Sequence, residues 1–269
     1  MMIGVIAGTG CVLSASSWPV AWLGLELNLM CFVPIVIKDE SLKKTCIIYF
    51  VAQRVGSLSI VAAGLLADSS SWVQLFLLLG VLLKMGAIPL HFWVPIVVTR
   101  LGRFGVYAIQ TWQKVAPFSL ILFIIISKEI LTLLNIWLGA ITMRSMSTPI
   151  LVVIFSGIVQ MGWIFSISGS LIWWFIVIYF AVLAPLVKFI QSNSRNFSLS
   201  LVNGGGLPPF TGFMIKLNAV KTVSSKLARL IIMGRGVALL SYTRILLNLG
   251  FLKDKVSLLV AARIVAGIV

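Results

Sequence analysis

Apolar residues occur in runs of about 20 along nearly the whole chain, separated by short polar links. A helix of about 20 apolar residues crosses the roughly 30 Å hydrocarbon core of a lipid bilayer, because each residue adds about 1.5 Å. The pattern therefore predicts an all-α, polytopic transmembrane helix bundle of about eleven helices, some of them discontinuous. The predicted ranges are 2–15, 19–37, 44–66, 71–89, 104–127, 129–143, 148–167, 171–190, 198–220, 227–249 and 256–269.

The composition excludes an ordinary soluble domain. Of the 269 residues, 60% are hydrophobic and only 10% are charged, whereas roughly a quarter of the residues in a soluble domain carry charge. Because the apolar runs recur from one end to the other, we expect residues 1–269 to form a single transmembrane domain.

The net charge of +15 comes from 21 Lys and Arg against six Asp and Glu. These cations are scattered singly and form no basic stripe, so nucleic-acid binding is not expected. They alternate instead between links, as in membrane proteins that keep positive loops on the inner side, which places the N-terminus on that side. The positive links contain Lys38, Lys43 and Lys44; Arg100 and Arg103; Arg144; Arg195; and Lys253 and Lys255. The opposite links read SASSW, ADSSS and SGS.

Four charged residues lie inside the apolar runs themselves: Glu26, Lys84, Lys114 and Lys216. A charge at mid-membrane depth costs about 2.5–3.5 kcal/mol, so such residues usually mark an ion or proton path. Each lysine also lies beside a predicted helix interruption. Pro89 and Pro117 follow the first two lysines, and the segment GGGLPPFTG precedes the third. Transporters commonly build their sites from discontinuous helices of this kind.

Redox and nucleotide chemistry is not expected in this chain. The three cysteines are far apart in apolar runs, His91 is the single histidine, and neither GxGxxG nor a P-loop is present. We therefore expect neither a cofactor nor a metal ion here.

Five sequence blocks carry a resemblance to a known family: GLELNLMCFVP (24–34), KMGAIPLHFWVP (84–95), TWQKVAP (111–117), QMGW (160–163) and GGGLPPFTGFMIK (204–216). In this order they resemble the NADH dehydrogenase (ubiquinone) subunit 2 family, the mitochondrially encoded, antiporter-like subunits of respiratory complex I. The resemblance implies an antiporter-like fold that lacks the ancestral first three helices, in the mitochondrial inner membrane with the N-terminus on the matrix side.

The resemblance also implies residue roles. Glu26 would pair with Lys84, Lys114 would be the central relay lysine, and Lys216 would be the terminal lysine on a second broken helix. His91 would lie in the HFWVP turn, as a proton carrier or as a hydrogen-bonded structural residue.

The sequence departs from the family pattern at four positions. Ile96 stands where an acid is usual, Leu151 where a lysine is usual, and Gln160 where a histidine is usual. Arg54 is an additional charge, which the sequence alone favours as a packing or lipid-headgroup contact.

The function implied is that of a membrane-arm core subunit of NADH:ubiquinone oxidoreductase that takes part in proton translocation. NADH, FMN, iron–sulfur clusters and ubiquinone would be bound by other subunits. The implied partners are other membrane-arm subunits, including another antiporter-like subunit and small helical subunits, together with phospholipids such as cardiolipin. The same buried charges also fit an independent cation/proton antiporter, and a third interpretation is a scaffold subunit.

Overall fold

The structure is a computed structural model that describes residues 1–36, 42–66, 70–122, 124, 128–167, 171–190, 195–207 and 210–248. Within these ranges the regular secondary structure is helical throughout, which confirms the predicted fold class. The helices are α1 Met2–Leu13, α2 Trp18–Val36, α3 Lys43–Leu66, α4 Ser71–Met85, α5 Trp93–Val98, α6 Arg103–Gln110, α7 Trp112–Ile121, α8 Lys128–Ser145, α9 Pro149–Ser166, α10 Leu171–Phe189, α11 Arg195–Gly205, α12 Thr211–Lys221 and α13 Ser225–Asn248.

Five helices of the described part are long and apolar enough to cross a membrane: α2, α3, α9, α10 and α13. The shorter apolar helices α1 and α4 have 12 and 15 residues. The polytopic organisation predicted from the apolar runs is thus present in the structure.

The chain divides into two compact units, Met1–Ser127 and Lys128–Val269. In the first unit, glycines bring helix pairs into backbone contact. A Cβ atom on Gly8 of α1 would lie 2.8 Å from the carbonyl oxygen of Gly24 on α2, and one on Gly80 of α4 would lie 2.9 Å from that of Gly56 on α3. Small residues allow this close approach, which is how helices associate in lipid.

The second unit contains α8 to α13, and a glycine again allows two of its helices to approach closely. A Cβ atom on Gly162 of α9 would lie 2.9 Å from the carbonyl oxygen of Thr132 on α8, so these two helices are packed backbone to backbone. Helix α13 packs against α8, and α11 contacts α10, α12 and α13. Helix α12 also contacts α10 and α9, so the two helices that flank the break both pack against other helices of this unit.

The predicted helix 71–89 is shorter in the structure, because α4 ends at Met85. Gly86 adopts φ +65°, a left-handed conformation that ends a helix and that residues with a side chain rarely adopt. The indole of Trp93 then donates a hydrogen bond to the carbonyl of Leu83 at 2.9 Å. The helix interruption predicted near Lys84 is therefore at Gly86, and it precedes Pro89.

The prediction of one helix over 104–127 is wrong in its continuity. Two helices, α6 and α7, occupy this segment, and Thr111 separates them with φ −119° and ψ −83°. Pro117 lies inside α7 and causes no break there. The hydroxyl of Thr111 donates to the carbonyl of Tyr107 at 2.6 Å, which satisfies that carbonyl at the end of α6.

Three further predicted helices lie in the C-terminal half of the chain, and their outcomes differ. The range 198–220 is broken between α11 and α12, as the GGGLPPFTG segment predicts, and 129–143 is the longer helix α8. The predicted helix 256–269, with the link residues Lys253 and Lys255, lies outside the described residues.

Candidate functional site

The buried carboxylate of Glu26 on α2 has two partners on α3. Arg54 forms an ion pair with one carboxylate oxygen, and the hydroxyl of Ser57 donates a hydrogen bond to the other. Positions 54 and 57 are neighbours on one helix face, so both reach α2. The packing contact favoured for Arg54 from sequence is present, because its guanidinium lies over the ring of Phe50. The structure adds a partner that the sequence did not predict, since the same side chain, 38% exposed, forms an ion pair with Glu26.

Lys84 lies in the last turn of α4 and is only 4% exposed. Its side chain packs on Gly56 of α3, where an added Cβ atom would be 2.8 Å from the Cγ atom of Lys84. Glu26 attracts the Lys84 ammonium and Arg54 repels it. The resemblance implies a pair between Glu26 and Lys84, but no direct ion pair joins them among the residues described. Lys84 lies near Glu26, and the carboxylate forms its ion pair with Arg54 instead.

Three buried polar residues form a stripe along α3, at positions four apart: Tyr49, Gln53 and Ser57. Residues at this spacing share one helix face. Ser57 donates to Glu26, and Gln53 donates to the backbone carbonyl of Lys84 at 3.1 Å. Tyr49 donates to the side-chain oxygen of Gln113 on α7 at 3.4 Å. We call these three residues the α3 polar stripe; it links the surroundings of Glu26, Lys84 and α7.

Lys114 lies on α7 and is 3% exposed. Its ammonium donates a hydrogen bond to the side-chain oxygen of Gln110, at 2.5 Å. Gln110 is fully buried and is the last residue of α6. The hydrogen bond therefore joins the end of α6 to the first turn of α7 across the break at Thr111. The hydrogen-bond partner of the Lys114 ammonium is thus an uncharged amide, whereas Lys84 has the charged residues Glu26 and Arg54 nearby.

Lys216, in the second unit, lies on α12 and is 5% exposed. Its ammonium donates to the carbonyl oxygens of Gly204 and Gly205 at 3.1 and 3.4 Å, and these are the last two residues of α11. The C-terminal carbonyls of a helix have no partner within the helix and attract cations. The side chain of Lys216 is therefore held against the end of the broken helix.

A small cavity of about 20 Å³ adjoins Lys216, and its largely apolar lining includes the polar residues Gln160, Tyr179 and Asn203. A cavity of at least 10–15 Å³ has room for about one water molecule when polar groups line it. The amide of Gln160 also lies 3.5 Å from the carbonyl oxygen of Gly204, so the residue that replaces the family's histidine stands in the Lys216 site.

Arg235 on α13 is a buried charge that the sequence interpretation missed. It is 6% exposed, and its guanidinium donates to the carbonyl of Gly206, beside the two carbonyls that hold Lys216. The signal that could have found it is the one that found the lysines, since Arg235 interrupts the apolar run IIMGRGVALL.

His91 lies in the turn before α5 and is half-buried, and its backbone carbonyl accepts a hydrogen bond from the amide of Val94 at 3.0 Å. In the described part of the chain, no group of three or more His, Cys, Asp or Glu side chains could hold a metal ion.

Comparisons with known proteins decide the family. No family model matches the chain. Curated relatives do: NADH-ubiquinone oxidoreductase chain 2 of Myxine glutinosa is 30% identical over 91% of this chain and 83% of that protein. The chain belongs to the NADH-ubiquinone oxidoreductase chain 2 family. The family member from Lumbricus terrestris is 28% identical over 81% of this chain and 76% of its own length, and that from Patiria pectinifera is 28% identical over 92% and 82%.

The fold agrees with this family assignment. A chain of respiratory complex I from Thermus thermophilus, solved with bound aureothin, superposes with a TM-score of 0.74. The match covers 99% of this chain and 74% of that one at 16% sequence identity, so it concerns the fold.

As a chain 2 family member, the protein is a multi-pass membrane subunit of NADH:ubiquinone oxidoreductase. The three residues that replace family-typical side chains differ in how deeply they are buried. Ile96 is 46% exposed on α5, Leu151 is half-buried at the start of α9, and Gln160 is buried beside Lys216. Of the three, only Gln160 touches the buried lysine sites described above.

Proposed function

We propose that this chain carries part of the proton translocation of the oxidoreductase through a relay of Glu26, Lys84, Lys114 and Lys216. The observation that carries the proposal is that three lysines, each at most 5% exposed, lie next to helix interruptions inside apolar helices. Ionisable residues in such positions are costly and by default functional. Backbone groups freed at the interruptions supply polar contacts where lipid could not.

The first step in this proposal is an exchange of partners at Glu26. When Arg54 holds the carboxylate, Glu26 is not paired directly with Lys84, and the buried Lys84 amine is the group of the three that can exchange its proton with a neighbour. When the carboxylate turns toward Lys84, the ammonium form is favoured. A change of charge in a neighbouring subunit would move Glu26 between the two cations, and the energy comes from outside this chain.

The second step involves Lys114, whose hydrogen-bond partner Gln110 is neutral. Because no carboxylate pairs with Lys114 among the described residues, Lys114 is suited to alternate between its charged and neutral forms. The α3 polar stripe supports a connection, because its members contact Glu26, the backbone of Lys84 and the side chain of Gln113, next to Lys114.

The third step involves Lys216 in the second unit. Backbone carbonyls stabilise its ammonium, and the adjoining cavity has room for about one water molecule to accept the proton. His91 is proposed as an accessory residue of the HFWVP turn, since it lies at the interruption that follows Lys84.

The proposed setting is the mitochondrial inner membrane, with the N-terminus on the matrix side. The alternation of Lys and Arg between links supports this orientation. The proposed neighbours are other membrane-arm subunits, among them another antiporter-like subunit and small helical subunits, and phospholipids such as cardiolipin. NADH, FMN, iron–sulfur clusters and ubiquinone would be bound elsewhere in the complex. Family membership favours this subunit role over an independent antiporter.

The test is Lys114→Met in the assembled complex, reconstituted into vesicles with NADH and a quinone. Protons moved per NADH oxidised and the rate of NADH oxidation are both measured. The relay predicts at least a tenfold loss of proton-coupled turnover with normal assembly. The matched control is Lys188→Met, because Lys188 is an exposed lysine at the end of an apolar helix and contacts the Phe189 ring. Undiminished proton transport in Lys114→Met would refute the relay.

A further inference from the structure

Two buried cations bind backbone carbonyls at the C-terminal end of α11. Lys216 donates to the carbonyls of Gly204 and Gly205, and Arg235 donates to the carbonyl of Gly206. Gly206 adopts φ +74°, which turns the chain sharply and exposes three successive carbonyls. The negative end of a helix dipole favours cations in this position.

Arg235 is built into the site by packing as well as by this hydrogen bond. Its guanidinium lies over the ring of Phe213, with 5.3 Å from Cζ to the ring centroid, so Arg235 and α12 are in contact. A Cβ atom on Gly206 would lie 3.2 Å from Nζ of Lys216. Lys216 therefore lies close against Gly206, whose carbonyl binds Arg235, and a larger residue at position 206 would crowd the Lys216 amine.

Carboxylates do not balance these two charges in the described part of the second unit. Its one acidic residue there is Glu129, which is exposed at the start of α8. A guanidinium stays protonated in proteins, whereas a buried lysine amine can lose its proton. Of the two cations at this helix end, Lys216 is thus the one whose charge can change, and Arg235 is a permanent charge.

We infer that Arg235 is a positioning residue for Lys216: it fixes the end of α11 and directs the Lys216 proton toward the neighbouring cavity. The inference rests on the relay role proposed for Lys216. In the step itself, the N–H bond of the Lys216 ammonium breaks, its electron pair stays on Nζ, and the proton passes to a water molecule in the cavity. The permanent charge of Arg235 repels the ammonium and favours the neutral amine, which keeps its contacts with the α11 carbonyls.

The experiment compares two substitutions at this position in the assembled complex. Arg235→Lys keeps a cation as long as the introduced amine is protonated, so its turnover is compared at acidic and alkaline pH, and Arg235→Gln keeps a hydrogen-bond donor without the charge. Because two unit charges a few ångströms apart interact strongly in a buried site, Arg235→Gln should lose proton-coupled turnover about tenfold, while Arg235→Lys at acidic pH should stay within about twofold of the parent. A purely structural hydrogen bond would be restored by both. Equal turnover in the two variants therefore overturns the inference.

Two further variants keep the test decisive. Arg244→Gln is the matched control, since Arg244 is an exposed arginine on the same helix that donates to the carbonyl of Arg144, and its turnover should not change. If Arg235→Gln does not assemble, Arg235→Lys decides alone through its pH profile: turnover that equals the parent's at acidic pH and still equals it at alkaline pH, where the introduced amine loses its charge, overturns the inference. Lys216→Met separates the two proposals, because full proton transport in that variant removes the relay role of Lys216 whatever Arg235 does.

Discussion

Arg54 on α3, and not Lys84 on α4, is the ion-pair partner of Glu26 on α2. The carboxylate thus lies between two cations of different kinds. One is a guanidinium that keeps its charge, and the other is a buried amine that can lose it. The resting position of Glu26 determines how much attraction the Lys84 ammonium receives, so Arg54 sets the starting state of the proposed relay.

Replacing Arg54 by methionine should abolish this starting state and leave Glu26 paired with Lys84. Without the guanidinium, Glu26 has Lys84 as its nearby cation, and attraction between them holds Lys84 in its charged form. We expect a severalfold loss of NADH-driven proton transport. The loss of stability should be modest, about 1 kcal/mol, because the Arg54 side chain is partly exposed. Arg54→Lys, which preserves the charge, should retain most of the transport; equal transport in the methionine variant and the parent would exclude this role.

Replacing Gln110 by glutamate should stop Lys114 from changing its charge. The amide oxygen of Gln110 accepts a hydrogen bond from the Lys114 ammonium at 2.5 Å, and a carboxylate there would form a buried ion pair. We expect normal assembly with at least a tenfold lower rate of coupled NADH oxidation. Gln110→Leu, which removes the partner without adding a charge, should instead lower the amount of assembled complex. A fully active Gln110→Glu complex would show that Lys114 need not release its proton.

Adding a methyl group at Gly56 should separate α3 from α4. The Cβ atom of Gly56→Ala would lie 2.8 Å from Cγ of Lys84 and 3.0 Å from the carbonyl oxygen of Gly80. Overpacking of this kind costs about 1–3 kcal/mol. We expect less assembled complex and a lower midpoint in thermal unfolding. The control is Gly10→Ala on α1, where nothing lies within 4 Å of the added atom; similar losses in both variants would mean that the close approach of α3 and α4 is unimportant.

Removing the hydroxyl of Ser57 should loosen Glu26 from α3. The buried carboxylate loses one hydrogen bond, and a hydrogen bond to a charged group contributes about 1.5–3 kcal/mol. Because Arg54 remains, Ser57→Ala should assemble and show altered coupled turnover, measured as protons per NADH. Ser59→Ala is the control two residues away, since its exposed hydroxyl donates to the carbonyl of Val55 on its own helix. No difference between the two alanine variants would remove Ser57 from the site.

The lysine sites could be predicted from the sequence because each depends on local information. A charged residue in an apolar run, next to glycine or proline, indicates a buried charge beside a helix interruption. Lys84, Lys114 and Lys216 are buried in the structure as expected, and the GGGLPPFTG segment does interrupt its helix.

The partners of these charges could not be predicted, because they depend on how helices pack. Arg54 reaches Glu26 across the α2–α3 contact, whereas Lys84 lies against Gly56 across the α3–α4 contact, and the sequence predicts neither contact. The break before Lys114 also escaped prediction. A single proline is the expected cause of a kink, yet α7 accommodates Pro117 and the interruption is at Thr111.

The cavity beside Lys216 has a volume of only about 20 Å³. A compartment that small admits a single solvent molecule at a time, so it cannot sustain an unbroken file of them on its own. Conduction at this point would proceed in discrete events, one solvent exchange for each charge released. Under the proposed relay, the rate of charge release from Lys216 would therefore depend on how fast solvent enters and leaves this cavity.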